Sequence, residues 1–157
     1  MSIEQDVLTF SADGVLYAVP VQRVQEILDL QPVAPMPNSP SFMLGVTDLR
    51  GENVPVVDLR RLLGLMDAEN TSQTRIVVVW ITKPNGGEFI LGIRTDRVIE
   101  VTKLDEEELG VIDDGGILGW SGRVVTGIGR RNGEVVSVLD LDRLFGSYST
   151  IGELEFA

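Results

Sequence analysis

The 157-residue chain contains neither cysteine nor histidine. Without cysteine it cannot form a disulfide, a thiolate nucleophile or a cysteine-based zinc site. Without histidine it lacks the commonest general base, the commonest transition-metal ligand and any residue for a phosphohistidine relay. The two absences together exclude much of the catalytic repertoire.

Basic and aromatic residues are also scarce. Thirteen basic residues stand against 24 acidic ones, which gives a formal net charge of −11, and aromatic residues make up 6% of the chain. A nucleic-acid partner requires a basic face that releases counterions, and single-strand binders add aromatic stacking platforms. The composition therefore argues against nucleic acid and against anionic membrane surfaces as partners.

Long apolar segments are missing too. The longest strongly apolar run, at 76–81, is too short to span a bilayer. Glu4 and Asp6 stand where a secretory signal would carry basic residues. Because 43% of the residues are nevertheless hydrophobic, we predict a well-packed, soluble, cytoplasmic protein that does not insert into the membrane.

Valine and isoleucine dominate the periodic segments, and this composition favours strands. Apolar segments at Val7–Phe10 and Val15–Val19 flank a turn that contains Asp13 and Gly14, which predicts a β-hairpin. A further strand is predicted at Val54–Val57. The sequence therefore indicates a protein built mainly from short strands.

Two short helices are predicted between these strands. The apolar residues of 21–28 recur at helical spacing, so Val24 and Ile27 are expected on one face of an amphipathic helix. Asp58 is expected to cap a second helix over Leu59–Leu63. The predicted fold class is thus all-β with short helices.

The second half of the chain repeats the first. Gly45–Gly64 aligns without gaps with Gly127–Gly146, and 17–27 aligns with 91–101. Val98 is therefore expected on the counterpart of the first predicted helix. Two small barrels packed face to face would satisfy this duplicated unit, because a half of this size buries little surface alone.

The repeat places Asp58 and Asp140 at equivalent positions, which invites comparison with an aspartate dyad. A dyad needs two carboxylates that share a proton, normally on tight glycine turns, whereas each aspartate here precedes a leucine-rich helical turn. Helix capping explains both residues. A small acid-dependent hydrolase that uses this pair remains the enzymatic alternative.

The densest acidic clusters lie at 105–108 and 113–114. No EF-hand spacing, dinucleotide-binding glycine motif or Walker phosphate loop occurs in the sequence. A solvated helix face followed by a glycine loop accounts for the clusters. We therefore predict a binding protein that is not an enzyme and that holds neither a metal nor a cofactor.

One motif resembles a known family. The segment GVTDLRGENVPVVDLRR at 45–61 is similar to the signature GVxNLRGxxxPVxDL of CheW-like domains. Further family landmarks are recognisable at 24–27, 37–42, 92–98 and 126–129. The resemblance covers about residues 6–146, nearly the whole chain, with the landmarks in the expected order.

The resemblance implies a fold and a domain organisation. It implies two intertwined five-stranded SH3-like β-barrels related by the internal repeat. The whole chain, 1–157, is expected to form a single domain, with a first half at about 6–66, a second half at about 74–146 and a short tail at 147–157.

The resemblance also implies a scaffold function. Such proteins couple the cytoplasmic tips of methyl-accepting chemoreceptors to the regulatory domain of the histidine kinase CheA, in arrays at the inner face of the membrane. An adaptor of another chemosensory pathway, such as twitching or surface sensing, is the alternative. Carried over by position, the expected receptor-binding groove comprises Val24, Glu26, Ile27, Gly45, Arg50 and Val98, and the expected kinase-binding surface lies around Gly92 and Gly127.

The sequence departs from the family pattern at several positions. Asp48 replaces the usual asparagine and adds a carboxylate that could pair with Arg50, whose guanidinium otherwise offers a planar fork to a partner carboxylate. Arg94 and Thr95 replace apolar residues of a family strand, and 113–122 is rich in glycine where relatives often carry proline. These departures bear on the identity of the partners.

The missing metal ligands give a first testable prediction. Because the chain has no histidine and no cysteine, protein purified without chelator should contain no stoichiometric zinc, iron or copper when it is assayed by elemental analysis. A stoichiometric metal in that assay would contradict the prediction.

Overall fold

The computed structural model describes residues 6–104 and 125–146. These residues form ten strands, two short α-helices and one 3-10 helix at Val21–Arg23. The strands are β1 Val7–Ala12, β2 Val15–Pro20, β3 Val24–Leu28, β4 Met43–Leu49, β5 Glu52–Asp58, β6 Arg75–Thr82, β7 Glu88–Thr95, β8 Arg97–Thr102, β9 Val125–Arg131 and β10 Glu134–Leu139. The α-helices are α1 Leu59–Leu62 and α2 Leu141–Phe145.

The strands form two five-stranded sheets that exchange segments between the halves of the chain. One sheet, here sheet A, has the order β8-β1-β2-β10-β9, and the other, sheet B, has the order β3-β6-β7-β5-β4. The first hairpin therefore joins three strands of the second half, and the β6–β7 hairpin joins three strands of the first. The halves are joined by two parallel contacts, β2 with β10 and β5 with β7, and by two antiparallel contacts, β1 with β8 and β3 with β6.

Three apolar clusters account for the packing of the two sheets. The central cluster contains residues of both sheets and both α-helices, including Phe10, Leu59, Leu91 and Phe145. Two smaller clusters each belong to one sheet, and each fills the inner side of a curled sheet. Side chains alternate between the two sides of each strand. One side of each sheet faces the interior of its own barrel, called barrel A or barrel B after the sheet, and on the other side some residues pack in the central cluster while others, such as Val135, are exposed.

The predicted amphipathic helix at 21–28 is wrong. Only a single 3-10 turn forms, and Val24 and Ile27 then lie on strand β3, paired with Val79 and Val77 of β6. The counterpart that carries Val98 is likewise strand β8, paired with β1. Valine and isoleucine favour strands, and pairing with a neighbouring strand supplies backbone hydrogen bonds that a short helix would lack.

The two repeated aspartates behave differently. The carboxylate of Asp140 accepts a hydrogen bond from the backbone N–H of Arg143 at 3.1 Å, which confirms the prediction that it caps α2. Asp58 precedes α1 without capping it: its buried carboxylate instead accepts a hydrogen bond from Nη1 of Arg94 at 3.1 Å. Each aspartate has its own partner, whereas a dyad would require the two carboxylates to share a proton.

Arg94, one of the departures from the family pattern, explains the burial of Asp58. Its guanidinium also donates to the side chain of Asn70 at 2.6 Å and to the carbonyl of Ala68 at 2.9 Å. A buried charge is tolerated when it is paired and hydrogen-bonded. Arg94 of β7 therefore links Asp58 of β5 to the segment between the halves, through Ala68 and Asn70.

Some predicted features lie outside the described residues. They are the acidic clusters at 105–108 and 113–114, the glycine-rich stretch at 113–122 and the tail at 147–157.

The fold gives a prediction about stability. Val56 and Val138 occupy equivalent repeat positions. Val56 is 0% exposed in the interior of barrel B, which sheet B forms, and Val138 is 2% exposed in the interior of barrel A, which sheet A forms. Replacing either by alanine should lower the free energy of unfolding by about 1–3 kcal/mol, because buried methyl groups are lost and a cavity remains. Denaturant melts measure the change.

Val135→Ala is the matched control, since Val135 lies on the same strand as Val138 but is 48% exposed. It should change the free energy of unfolding by no more than about 0.5 kcal/mol. Losses of that small size at both Val56 and Val138 would contradict the register described above.

Candidate functional site

The six residues expected to face a receptor are distributed over both sheets. Val24, Glu26 and Ile27 lie on β3, Gly45 on β4, Arg50 in the turn between β4 and β5, and Val98 on β8. They differ in how they reach the surface. Three groups can be distinguished: an ion pair at the edge of sheet B, an exposed apolar side chain, and positions that shape the backbone or the core.

Arg50 lies in a tight turn with unusual backbone geometry. Its φ is 51° and that of Gly51 is 88°, so both central residues of this hairpin turn have positive φ. The carboxylate of Asp48 accepts a hydrogen bond from the N–H of Gly51 at 2.9 Å and thereby stabilises the turn. Positive φ at both positions matches the strand twist of a tight hairpin.

Arginine is an unusual residue at this point of a hairpin. The corresponding positions of two other hairpins carry Asp13, with φ 53°, and Asn132, with φ 50°. Asn132 is also the counterpart of Arg50 in the repeat. Asparagine and aspartate tolerate the left-handed region, whereas a long side chain there is disfavoured. Turn formation alone therefore does not account for Arg50.

Arg50 forms a two-pronged ion pair with Glu26. Its Nη2 lies 2.5 Å from Oε1 of Glu26, and its Nη1 lies 3.2 Å from Oε2. The pair joins the middle of β3 to the turn that follows β4. Because β3 and β4 are the two outer strands of sheet B, the pair spans the gap between them, here called the seam of the barrel. The internal partner of Arg50 is thus Glu26, and the suggested pairing with Asp48 is wrong.

Arg50, the positively charged residue of the ion pair, is the more exposed of the two. The side chain of Arg50 is 67% exposed and that of Glu26 only 26%. Glu26 engages two of the five N–H groups of the guanidinium. Hydrogen bonds from Arg50 and, secondarily, from Gln25 hold the pKa of Glu26 below its ordinary value.

The remaining groove residues contribute in other ways. Ile27 is an exposed apolar side chain next to Glu26 on β3. Val24 and Val98 are partly buried against the central cluster.

Gly45 is buried: a β-carbon there would lie 2.0 Å from the carbonyl oxygen of Ala34, and Ala34 pairs with Val46 of β4 in an isolated β-bridge. Gly45 therefore acts by letting a neighbouring segment approach closely.

The two glycines expected at the kinase-binding surface are both buried and lie in different sheets. A β-carbon at Gly92 of β7 would lie 2.6 Å from Cγ2 of Ile76, inside barrel B. Gly127 lies on β9, the outer strand of sheet A, opposite Val138. The structure does not bring these two positions together into one surface.

Comparison with known proteins identifies the family. The family model described as the CheW-like domain matches residues 6–149. The chain belongs to the CheW-like domain family. It is 27% identical over 146 residues to the chemotaxis protein CheW of Klebsiella aerogenes, an alignment that covers 93% of this chain and 84% of the relative. It is 35% identical over 111 residues to CheW of Bacillus subtilis, covering 71% and 68% of the two chains.

A solved structure of a CheW-like protein has the same fold. The crystal structure of the scaffolding protein TtCheW from Thermoanaerobacter tengcongensis superimposes with a TM-score of 0.76 at 25% identity, covering 90% of this chain and 92% of that one. The predicted fold of two intertwined five-stranded SH3-like barrels is confirmed. As a CheW-like protein, the chain has the role of an adaptor in chemotaxis signalling.

This CheW-like chain also carries a second ion pair that the sequence reasoning missed. In sheet A, Nε of Arg131 lies 2.6 Å from Oε2 of Glu100 and joins the outer strands β9 and β8. Glu100 is the repeat counterpart of Glu26, but Arg131 stands one position before the counterpart of Arg50. An ungapped comparison of the repeats therefore finds the glutamates and overlooks the arginine.

Two further findings concern the described part of the chain. No group of three or more acidic side chains there is placed to hold a metal ion. No helix within 6–104 or 125–146 is long and apolar enough to cross a membrane.

The ion pair at the seam gives a testable prediction about ionisation. The carboxyl group of Glu26 should titrate below the ordinary glutamate range, and Arg50→Ala should raise its pKa towards that range, because the hydrogen bonds from the guanidinium are lost. Carbon-13 NMR of the side-chain carboxyl groups measures both values. The stabilisation from this pair is present above the unfolded-state pKa of Glu26 and disappears as the pH falls through its folded-state pKa.

Arg50→Lys is the control, since it keeps the positive charge and removes the planar fork. It should leave the pKa of Glu26 between the other two values. An unchanged pKa in Arg50→Ala would show that the pair does not persist in solution.

Proposed function

We propose that this chain is a non-enzymatic adaptor that couples chemoreceptors to the histidine kinase CheA. Membership of the CheW-like family and the match to a scaffolding protein support an adaptor. The observation that carries the proposal furthest is Arg50: a cation placed in a backbone conformation that favours asparagine or aspartate, and turned outward. A binding role would explain an arginine at this position.

The proposed receptor partner is the cytoplasmic tip of a methyl-accepting chemoreceptor. Its binding groove would consist of the six residues expected from the resemblance: Val24, Glu26, Ile27, Gly45, Arg50 and Val98. A receptor carboxylate would accept hydrogen bonds from Arg50 beside the pair with Glu26, and Ile27 would add an apolar contact. Gly45, Val24 and Val98 would maintain the shape of the groove, because they are buried or partly buried.

The proposed kinase partner is the regulatory domain of CheA. Gly127 lies on an outer strand of sheet A, where a missing side chain allows another backbone to approach. Gly92 is further inside and would act by allowing β7 to pack on Ile76. Contacts with the kinase would therefore come from the neighbouring strand residues, with the two glycines setting the strand geometry.

The remaining parts of the proposal follow from the adaptor role. The chain would work at receptor arrays on the inner face of the membrane, without a cofactor and without catalytic turnover. Because each sheet takes strands from both halves, we also propose that residues 6–66 and 74–146 fold together as one domain.

Arg50→Ala tests the receptor contact. The variant should bind a receptor-tip fragment about 30-fold more weakly and should lose receptor-dependent activation of the kinase, since a partner carboxylate loses its charged donor. Its melting temperature should change little, because the side chain is largely exposed. Sedimentation with the receptor fragment and a coupled kinase assay measure the two effects.

Arg131→Ala is the matched control, since it removes the equivalent ion pair from sheet A. It should leave receptor binding close to that of the unmodified protein. If Arg50→Ala instead lowers the melting temperature by many degrees while the folded fraction binds the receptor normally, the arginine is structural and the proposed groove is wrong.

A further inference from the structure

A concavity of about 730 Å3 lies at the end of barrel B next to Arg50. Besides the polar or small residues Gln25, Gly51, Glu52 and Asn53, it is lined by the buried Leu49, Phe89 and Ile90, by the partly exposed Trp80 and by Arg50. We call the last five of these residues the barrel mouth. Its volume is in the range of pockets that enclose small ligands.

Trp80 is the unusual member of the barrel mouth. Along β6, Ile76, Val78 and Trp80 are spaced by two residues and therefore share one side of the strand. Ile76 and Val78 are buried in the interior of barrel B. Trp80 ends this row opposite Ile90 and is 40% exposed. The largest apolar side chain of the row is thus the one that the barrel leaves partly uncovered.

The backbone at Trp80 is held in place. Its carbonyl oxygen accepts a hydrogen bond from Nη1 of Arg23 at 3.1 Å, and both flanking residues of β6 pair with β7. The indole is therefore presented on a rigid strand. A large aromatic side chain on a rigid element can bind a partner at a low cost in conformational entropy, which is why tryptophan is enriched where partners bind most tightly.

We propose that the barrel mouth receives an apolar side chain from the same receptor segment that contacts Arg50. This inference rests on the proposed receptor binding at Arg50 and extends it to a second contact. The part of the lining formed by Leu49, Ile90 and the indole of Trp80 suits an apolar group, and the polar groups of Gln25, Arg50 and Asn53 beside it suit polar atoms of the same segment. Arg50 belongs both to the mouth and to the proposed groove, so one segment would reach both.

The charge of Arg50 defines the segment further. Arg50 is the more exposed member of its ion pair, and Glu26 is the more buried one. A segment that places an apolar side chain in the mouth and an acidic residue beside it would satisfy both features. Glu52, which also lines the concavity, disfavours a second acidic residue near it.

The chain offers a direct spectroscopic test, because it contains two tryptophans, Trp80 and Trp120. In a Trp120→Phe background, the fluorescence comes from Trp80. Addition of a receptor-tip fragment should shift the emission to shorter wavelength and protect the indole from acrylamide quenching, since water is displaced from its exposed face. Addition of the CheA regulatory domain alone should produce neither change.

Trp80→Ala measures the contribution of the contact. It should weaken binding of the receptor fragment about 30-fold, while Trp80→Phe, which keeps an aromatic side chain, should weaken it less. Met66→Ala is the control, since Met66 is exposed and outside the barrel mouth. It should bind like the parent, and thermal melts establish that all variants are folded.

The outcomes separate this inference from the proposed function. If the receptor fragment binds the Trp120→Phe protein but leaves the emission and quenching of Trp80 unchanged, the inference is wrong and receptor binding stands. A change on addition of the kinase domain instead would assign the mouth to the kinase and also overturn the inference. If the fragment does not bind at all, both the proposed function and the inference fail.

Discussion

The structure depends on the central apolar cluster, which is shared by two sheets that have exchanged strands. Neither half of the chain contains a complete sheet, because β1 and β2 complete the sheet of β8–β10, and β6 and β7 complete that of β3–β5. Residues such as Phe10 and Phe145 then pack where the two sheets meet. Within the described residues, the two sheets are therefore packed together through a shared core, and a surface that draws on both sheets is built on that core.

Ion pairs also help to hold each barrel together. Each barrel is an open sheet with two outer strands, and in each an arginine–glutamate pair joins them. In barrel B the arginine is also placed at the mouth and turned towards the solvent. One side chain thus stabilises a seam and defines a binding surface, which ties the proposed receptor contact to the shape of the barrel.

Much of the fold could be predicted from the sequence, because hairpins have local signals. The turn at Asp13–Gly14 and the alternation around it indicate β1 and β2, and the repeat extends the interpretation to the second half. The exchange of strands has no local signal, since a repeat shows which segments are alike and not which ones pair. The segment at 21–28 is compatible with two periodicities, and the pairing of β3 with β6 decides between them. The partners of Arg50 and Asp58, which are 24 and 36 residues away, were likewise beyond local reasoning.

The two ion pairs at the seams consist of the same residue types, but they differ in which member is more exposed to solvent. In barrel B the arginine is the more exposed member, whereas in barrel A the side chain of Arg131 is 20% exposed and that of Glu100 is 45% exposed. Equivalent places in the repeated backbone thus expose a guanidinium in barrel B and a carboxylate in barrel A. The two pairs therefore offer opposite charges to whatever contacts them, and an acidic group from outside meets a more accessible cation on barrel B than on barrel A.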